Sequence, residues 1–277
     1  MPVRVTDLTE ADIPGAVSAI QEAFADDPYN NWVFDKSKFN PQRNAASLGI
    51  RCRWGMRNGI FQVAKEEGND EVLGVAMWLK PQRTDQPISW HDWFEGWRLW
   101  FNQIGMNLWY GRGGLIVKVG RVYAEPFVYQ TTIRRQLASY ARSSPFLFLP
   151  SSSDPLLTEK PPRQRYYIWK EAQAKVQSHV WTDPRGYYFL NIMVVVPGAQ
   201  GRGIGRQMMR TVTDRADAEG VPCYLESSRD EPNVRIYGRF GFRFAAELEC
   251  DDNGDAIRLF AMVREPGAGL QSQPPPN

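Results

Sequence analysis

Histidine and cysteine are scarce in this sequence. Only two histidines, His91 and His179, occur among 277 residues, and the three cysteines, Cys52, Cys223 and Cys250, stand far apart. With no CxxC pair and no ligand-like spacing, neither a metal site nor a Ser-His-Asp centre is expected. An odd, scattered cysteine set suits a reduced, cytoplasmic protein better than a disulfide scaffold. Net charge is equally sparse: 33 Lys plus Arg against 31 Asp plus Glu leave +2. A nucleic-acid binder would carry a concentrated basic excess, so none is expected as a partner. No apolar run reaches about eighteen residues, the length a membrane helix needs, so no membrane span is expected. Residues Met1 to Asp12 carry Arg4, Asp7, Glu10 and Asp12 and no apolar stretch, which speaks against a signal peptide.

What is present is an ordinary globular balance, 43% apolar and 23% charged, with ten tryptophans. Thr9 and Asp12 resemble a capping box that opens a helix over about 10 to 25, with Ile13, Val17, Ile20 and Phe24 on one face. Asp26-Asp27-Pro28 ends it. A second helix is expected over about 41 to 56. Gly59 through Pro81 reads as a hairpin turning at Glu67-Gly68-Asn69-Asp70. The middle, about 82 to 185, is less regular. It holds a tryptophan stripe (Trp90, Trp93, Trp97, Trp100), an extended piece at Val122–Gln130, and a helix at Arg134–Arg142. A Ser/Pro-rich loop at Ser143–Pro162 and a helix at Tyr166–Val180 follow. The last third alternates strand and helix: Tyr187–Val196, Arg206–Glu219, Val221–Ser228, Asn233–Arg239. A hairpin of Arg243–Cys250 and Ala256–Arg264 about Asp251-Asp252-Asn253-Gly254 closes it. The pattern is mixed α/β in one domain over 1–265, with a disordered tail over 266–277.

Gln200-Gly201-Arg202-Gly203-Ile204-Gly205 sits between an apolar strand and a helix. Its glycines let backbone N–H groups converge, and the helix start adds its dipole, which together favour a phosphate. Arg202 and Arg206 can add charge-assisted bonds. A Walker loop would end in Gly-Lys-Ser/Thr, and a Rossmann loop would place a glycine at Arg206 and follow the first strand. Neither pattern is met.

The run Val195-Val196-Pro197-Gly198-Ala199-Gln200-Gly201-Arg202-Gly203-Ile204-Gly205 resembles the acetyl-CoA motif of the GNAT superfamily of N-acetyltransferases, Gln/Arg-x-x-Gly-x-Gly/Ala. Leu225-Glu226-Ser227-Ser228, Asn233 and Tyr237-Gly238-Arg239-Phe240-Gly241-Phe242 are similar to its second motif. Ala23 to Pro28 resembles the first helix and substrate loop of small-molecule members. Tyr188 to Glu247 is most similar to the puromycin N-acetyltransferase branch and its fungal relatives. The resemblance implies a mostly antiparallel, twisted sheet flanked by helices, here with an enlarged insertion between the third and fourth strands. It implies acetyl-CoA as co-substrate, with no metal. It also implies pantetheine pairing near Met193, Val194 and Val195, and an Asn233 contact to the same arm.

Acyl transfer to an amine needs the neutral amine, and for an alkylamine of pKa about 10.4 that costs roughly 4–5 kcal/mol at pH 7. Glu226, in an apolar setting at a strand end, is the candidate base. Tyr237 is the candidate acid, since a phenol of pKa about 10 can protonate a thiolate of about 8.5. Asp26, Asp27 and Trp97 are candidate acceptor contacts, fitting a cationic small-molecule amine with an apolar body. The tryptophan stripe is read first as packing against the sheet, with pocket lining or membrane contact as alternatives. Alternative functions are acetylation of a protein lysine or N-terminus, and catalytically idle CoA binding. A monomer or a homodimer is expected, without a membrane partner.

Overall fold

Among the described residues, alternating and β-branched runs build seven strands, which a computed structural model places in one sheet, in the order β1-β2-β3-β4-β5-β7-β6. The structure describes residues 2–83, 85–87, 89–111 and 165–268. The strands are β1 (Val3–Asp7), β2 (Gly59–Glu66), β3 (Val72–Leu79), β4 (Tyr188–Val195), β5 (Cys223–Ser227), β6 (Arg243–Asp252) and β7 (Asp255–Arg264). Every neighbouring pair is antiparallel except β4 and β5, which run parallel. The fold is thus the mixed, mostly antiparallel α/β arrangement expected. Between β3 and β4 lies the insertion, with helices α4 (Trp90–Tyr110) and α5 (Arg165–Val180). The expected extended piece at Val122–Gln130, helix at Arg134–Arg142 and loop at Ser143–Pro162 lie outside the described residues, as does the tail from 269.

The capping box at Thr9 and Asp12 is present: both the amide and the hydroxyl of Thr9 donate to Asp12 Oδ2, at 3.0 and 2.7 Å. Asp12 also pairs with Lys65 of β2, pinning the helix start to the sheet. A 3-10 turn, Glu10–Asp12, leads into α1 (Ile13–Ala23). A short helix absent from the sequence expectations, α2 (Pro28–Val33), follows at once, capped by Asp27. Helix α3 (Pro41–Asn58) starts at an Asn40 cap. Later come α6 (Ile204–Glu219) and α7 (Asn233–Gly238). Helix α6 starts two residues before the expected Arg206 and stops at Gly220, φ 65°.

One face of the sheet packs under α6, with Trp78, Leu190, Met208, Leu225 and Met262 buried. Each such side chain contributes about 1.5–3 kcal/mol relative to exposure. Gly74 lets the helix approach β3 closely: a Cβ there would lie 2.9 Å from Met208 Cε. On the other face α1 and α3 cover Val63, Val75, Ile192 and Val194, while α2 and α5 cover Tyr224, Leu259 and Ala261. The last hairpin is longer than expected, because Asn253 (φ 57°) and Gly254 (φ 93°) make a tight two-residue turn between Asp252 and Asp255.

The tryptophan stripe does not pack against the sheet. Helix α4 lies on α3 through the opposite side, burying Glu95, Gly96 and Met106. Trp90 is 84% exposed and Trp93 46%. The reason is polar: Glu95 accepts from Arg57 Nε at 3.0 Å and from Asn58 at 3.2 Å, tying that side to α3. At the other end, Arg43 of α3 caps α4 by donating to the Gly111 carbonyl (3.0 Å) and Asn107 (2.7 Å). The fold also continues past 265, since the Gly267 amide donates to Asp217 Oδ1 at 2.6 Å.

Candidate functional site

Strands β4 and β5 pair only at Tyr188–Cys223, Phe189–Tyr224 and Leu190–Leu225. Beyond Leu190 they part. On its other edge β4 stays paired to β3, but with a bulge: Met77 faces Ile192 and Trp78 faces Leu190, leaving Asn191 extra. The Val196 amide donates to the Leu73 carbonyl at 2.9 Å. Backbone bonding alternates along an antiparallel pair, so Val194 and Ile192 also turn their backbone polar groups to β3. Met193 and Val195 turn theirs into the gap. Of the three expected pantetheine contacts, the structure therefore leaves Met193 and Val195 facing the gap. Val194 is spent on the ladder and has its side chain in the core.

At the far end of β4, a 3-10 turn at Pro197–Ala199 delivers the glycine loop. Gln200 folds back on the Val195 carbonyl at 3.3 Å. Gly201 (φ 77°) and Gly203 (φ 81°) are left-handed, and no atom lies within 4 Å of where their Cβ would stand. The first intrahelical bond of α6 runs from the Gln207 amide to the Gly203 carbonyl, 3.1 Å. The amides of Ile204, Gly205 and Arg206 thus have no intrahelical acceptor. The Ile204 side chain is core, so only its amide belongs to the loop. Arg206 is exposed, whereas Arg202 is paired with Glu66. An open cradle of N–H groups at a helix start fits a pyrophosphate.

Glu226 projects from β5 on the face opposite α6, beside Tyr224 and under α5. Its strand end is half-buried. Gln173 Nε2 donates to both carboxylate oxygens at 2.9 Å, and the Tyr224 hydroxyl to Oε1 at 2.8 Å. The Trp169 indole N–H faces the same carboxylate without reaching full hydrogen-bond geometry. Burial pushes the Glu226 pKa up, against the opposing pull of Gln173, Tyr224 and Lys170. Lys170 donates to Gln173 Oε1 at 2.8 Å and sits 4.7 Å from the Trp169 ring. Its ammonium is pushed down to about 8 by burial.

Tyr237, on α7, packs against the α6 side of the sheet with Met193, Val195 and Phe240. Its ring meets Phe242 at 6.1 Å, and its hydroxyl makes no hydrogen bond to a described residue. Burial pushes its pKa up to about 12, so it stays protonated at neutral pH. Asn233 donates to Ser227 Oγ at 2.9 Å, and Ser227 in turn donates to the Arg229 carbonyl at 2.7 Å. That hydroxyl orders the turn from β5 into α7.

The expected acceptor contacts are placed differently from one another. Asp27 is 8% exposed, accepts the Asn30 amide at 2.9 Å and takes the Ser228 hydroxyl, so both its oxygens serve the fold. Asp26 is exposed and its carbonyl accepts from Arg229 at 2.7 Å. Trp97 meets rings of its own helix at an angle, 5.8 Å from Trp93 and 5.4 Å from Trp100, and no described contact joins it to Glu226. The sequence expectations missed Lys170, Gln173 and Gln177. Their signal was a polar stripe at helical spacing on a helix otherwise facing the core, and glutamines 4% and 8% exposed are unusual enough to ask for partners.

Residues 162–244 match the family model described as Acetyltransferase (GNAT) domain. Over that stretch the chain is similar to the GNAT acetyltransferase domain. An uncharacterized N-acetyltransferase of Schizosaccharomyces pombe is 28% identical over 109 residues, covering 37% of this chain and 46% of the relative. A second from that yeast is 33% identical over 28% of this chain and 32% of its own length. The matches thus span less than half the length of these curated relatives. Among solved structures, a Corynebacterium glutamicum protein described as histone acetyltransferase HPA2 and related acetyltransferase superposes over all of both chains. Its TM-score is 0.50 at 18% identity. Arylalkylamine N-acetyltransferase 2 from Aedes aegypti superposes over 96% of this chain and 99% of its own, with TM-score 0.51 and 11% identity. Both share the GNAT fold. Among the described residues, no three His, Cys, Asp or Glu side chains form a metal-binding group. No described helix is long and apolar enough to cross a membrane.

Proposed function

We propose that this chain is an N-acetyltransferase that passes an acetyl group from acetyl-CoA to the neutral amine of a small molecule, by direct attack within a ternary complex. One observation carries this: the gap beyond Leu190 and Leu225 joins the two faces of the sheet. The glycine loop and Tyr237 lie towards one face and Glu226 on the other. When bound, acetyl-CoA supplies the activated acyl thioester. The amides of Gly201 through Arg206 would hold its pyrophosphate, and the backbone of Met193 and Val195 would pair with its arm. Asn233, already oriented by Ser227, would reach the same arm.

Glu226 removes the proton from the attacking nitrogen, and its raised pKa suits that work better than an ordinary carboxylate. Tyr237 keeps its proton at neutral pH and donates to the departing sulfur. With a pKa near 12, it acts first as a hydrogen-bond donor. Cys223 is no nucleophile, since burial pushes its thiol up to about 12. Helix α5 covers the Glu226 face, which favours a small acceptor over a peptide laid across the surface. The enclosed, free cysteines suit a reducing, cytoplasmic setting. The puromycin N-acetyltransferase branch, which Tyr188 to Glu247 resembles, also has a Glu at the position of Glu226.

Purified protein, acetyl-CoA and a panel of small amines, lysine peptides and free N-termini, read as released CoA thiol, test this. Turnover confined to small amines is expected. Turnover only with peptides would move the acceptor class, and binding without turnover would leave an idle CoA binder.

A further inference from the structure

We propose that helix α5 sets the working pH of the site: Gln173 holds the Glu226 carboxylate in place, and Lys170, bonded to Gln173, favours its ionised form. This rests on Glu226 acting as the base. The geometry is a continuous chain. Lys170 Nζ donates to Gln173 Oε1 at 2.8 Å, and Gln173 Nε2 donates to both Glu226 oxygens at 2.9 Å. From the other side the Tyr224 hydroxyl donates at 2.8 Å. The spacing of 170, 173 and 177 puts all three polar groups on one face of α5. Gln177 lies one turn further along that face, near the Tyr224 hydroxyl. Arg165 fixes the helix itself by donating to the Trp32 carbonyl (2.7 Å), Asp252 (3.1 Å) and Asp255 (2.5 Å).

Gln173 has a fixed polarity here. Its carbonyl oxygen is taken by the ammonium, so its NH2 must face the carboxylate, and that arrangement favours the charged form of Glu226. Among the described residues, the titratable groups coupled to Glu226 are Lys170 on α5, Tyr224 on β5, Tyr29 on α2 and Cys250 on β6, with Tyr166 and Arg51 beyond them beside Tyr29. Burial pushes the three phenols and the Cys250 thiol up, so they stay neutral through the working range. Arg51 is exposed and its field is screened. Lys170 is therefore the enclosed cation that opposes the desolvation of the carboxylate. Neither Lys170 nor Gln173 needs to touch the acceptor. They are positioning residues.

The test is the pH dependence of kcat/KM, from about pH 5 to about pH 9, for the full chain and four variants. In the wild type the acid limb reports Glu226. Lys170→Met and Gln173→Leu should each move that limb to higher pH, by about one unit, as loss of a nearby opposite charge or of a bond to the charged form requires. Lys170→Arg should return the limb toward its wild-type position. Glu226→Gln should abolish it. If Lys170→Met folds poorly by its melting curve, Lys170→Gln removes the charge while keeping a donor to Gln173, and the same shift is expected. An unmoved limb in the Lys170 and Gln173 variants, with the limb lost in Glu226→Gln, overturns this proposal and leaves Glu226 as the base. A limb that survives in Glu226→Gln overturns the base assignment and this proposal with it.

Discussion

Asp27 takes a hydrogen bond from the hydroxyl of Ser228, a residue 201 positions later, while its other oxygen caps α2 through the Asn30 amide at 2.9 Å. The side chain expected to meet a cationic acceptor instead ties the first helices to the end of β5. Asp27→Ala should cost about 1 kcal/mol for the cap, and about 1–3 kcal/mol more if the Ser228 hydroxyl is left without a partner. A melting temperature lower by several degrees is expected, with Asp27→Asn recovering part of it. A raised KM for the amine with no change in melting would return Asp27 to the acceptor site.

Tyr237→Phe isolates the hydroxyl, because the ring that packs on the core beside Phe242 is kept. The phenol makes no hydrogen bond to a described residue, so the fold should lose little, and the melting curve should stay near wild type. Turnover should fall by about 10² or more, the usual scale for removing one donor to developing charge. The KM for acetyl-CoA should hardly move. Equal turnover would remove Tyr237 from the mechanism.

What was legible in the chain was local. The glycine loop, the Thr9–Asp12 box and the Asn253-Gly254 turn each depend on a few adjacent residues, and each forms where the spacing put it. The hairpin of β2 and β3 was equally plain, since alternation over a strand is a short-range signal. The partners of Glu226 were not legible. Which face of α5 turns to β5 depends on Arg165 reaching Asp252 and Asp255, nearly ninety positions away. The tryptophan stripe misled for a related reason. Hydrophobicity said that those rings should be inside, but the Glu95–Arg57 pair turns the other face of α4 to α3. A buried carboxylate leaves no periodic trace in a sequence.

Glu226 should show opposite effects on stability and activity. Its folded pKa lies above the ordinary 4.5, so the neutral form is the one the fold prefers. That contribution is fully present below the unfolded value and is lost as pH rises through the folded pKa. Glu226→Gln carries no such charge. The melting temperature of the variant relative to wild type should therefore rise as pH climbs above the unfolded value of 4.5, while turnover falls by about 10² or more. A gap in melting that stays flat with pH would show that Lys170 and Gln173 fully offset the desolvation.

Gly203 and Gly205 separate two reasons for glycine in one loop. Gly203 sits at φ 81° as the cap of α6, a conformation that costs an L residue about 1–2 kcal/mol. Gly205 lies inside the helix, and an added Cβ would come no nearer than 3.8 Å to Val195. Gly205→Ala should therefore melt at or above the wild-type temperature, since alanine is favoured over glycine in a helix by about 1 kcal/mol. Gly203→Ala should melt lower and bind CoA more weakly, because strain at the cap disturbs the amides that face the phosphate. Both are read by melting curves with and without CoA. Should CoA raise the melting of Gly203→Ala as much as that of the wild type, the pyrophosphate is held elsewhere and the loop is only a turn.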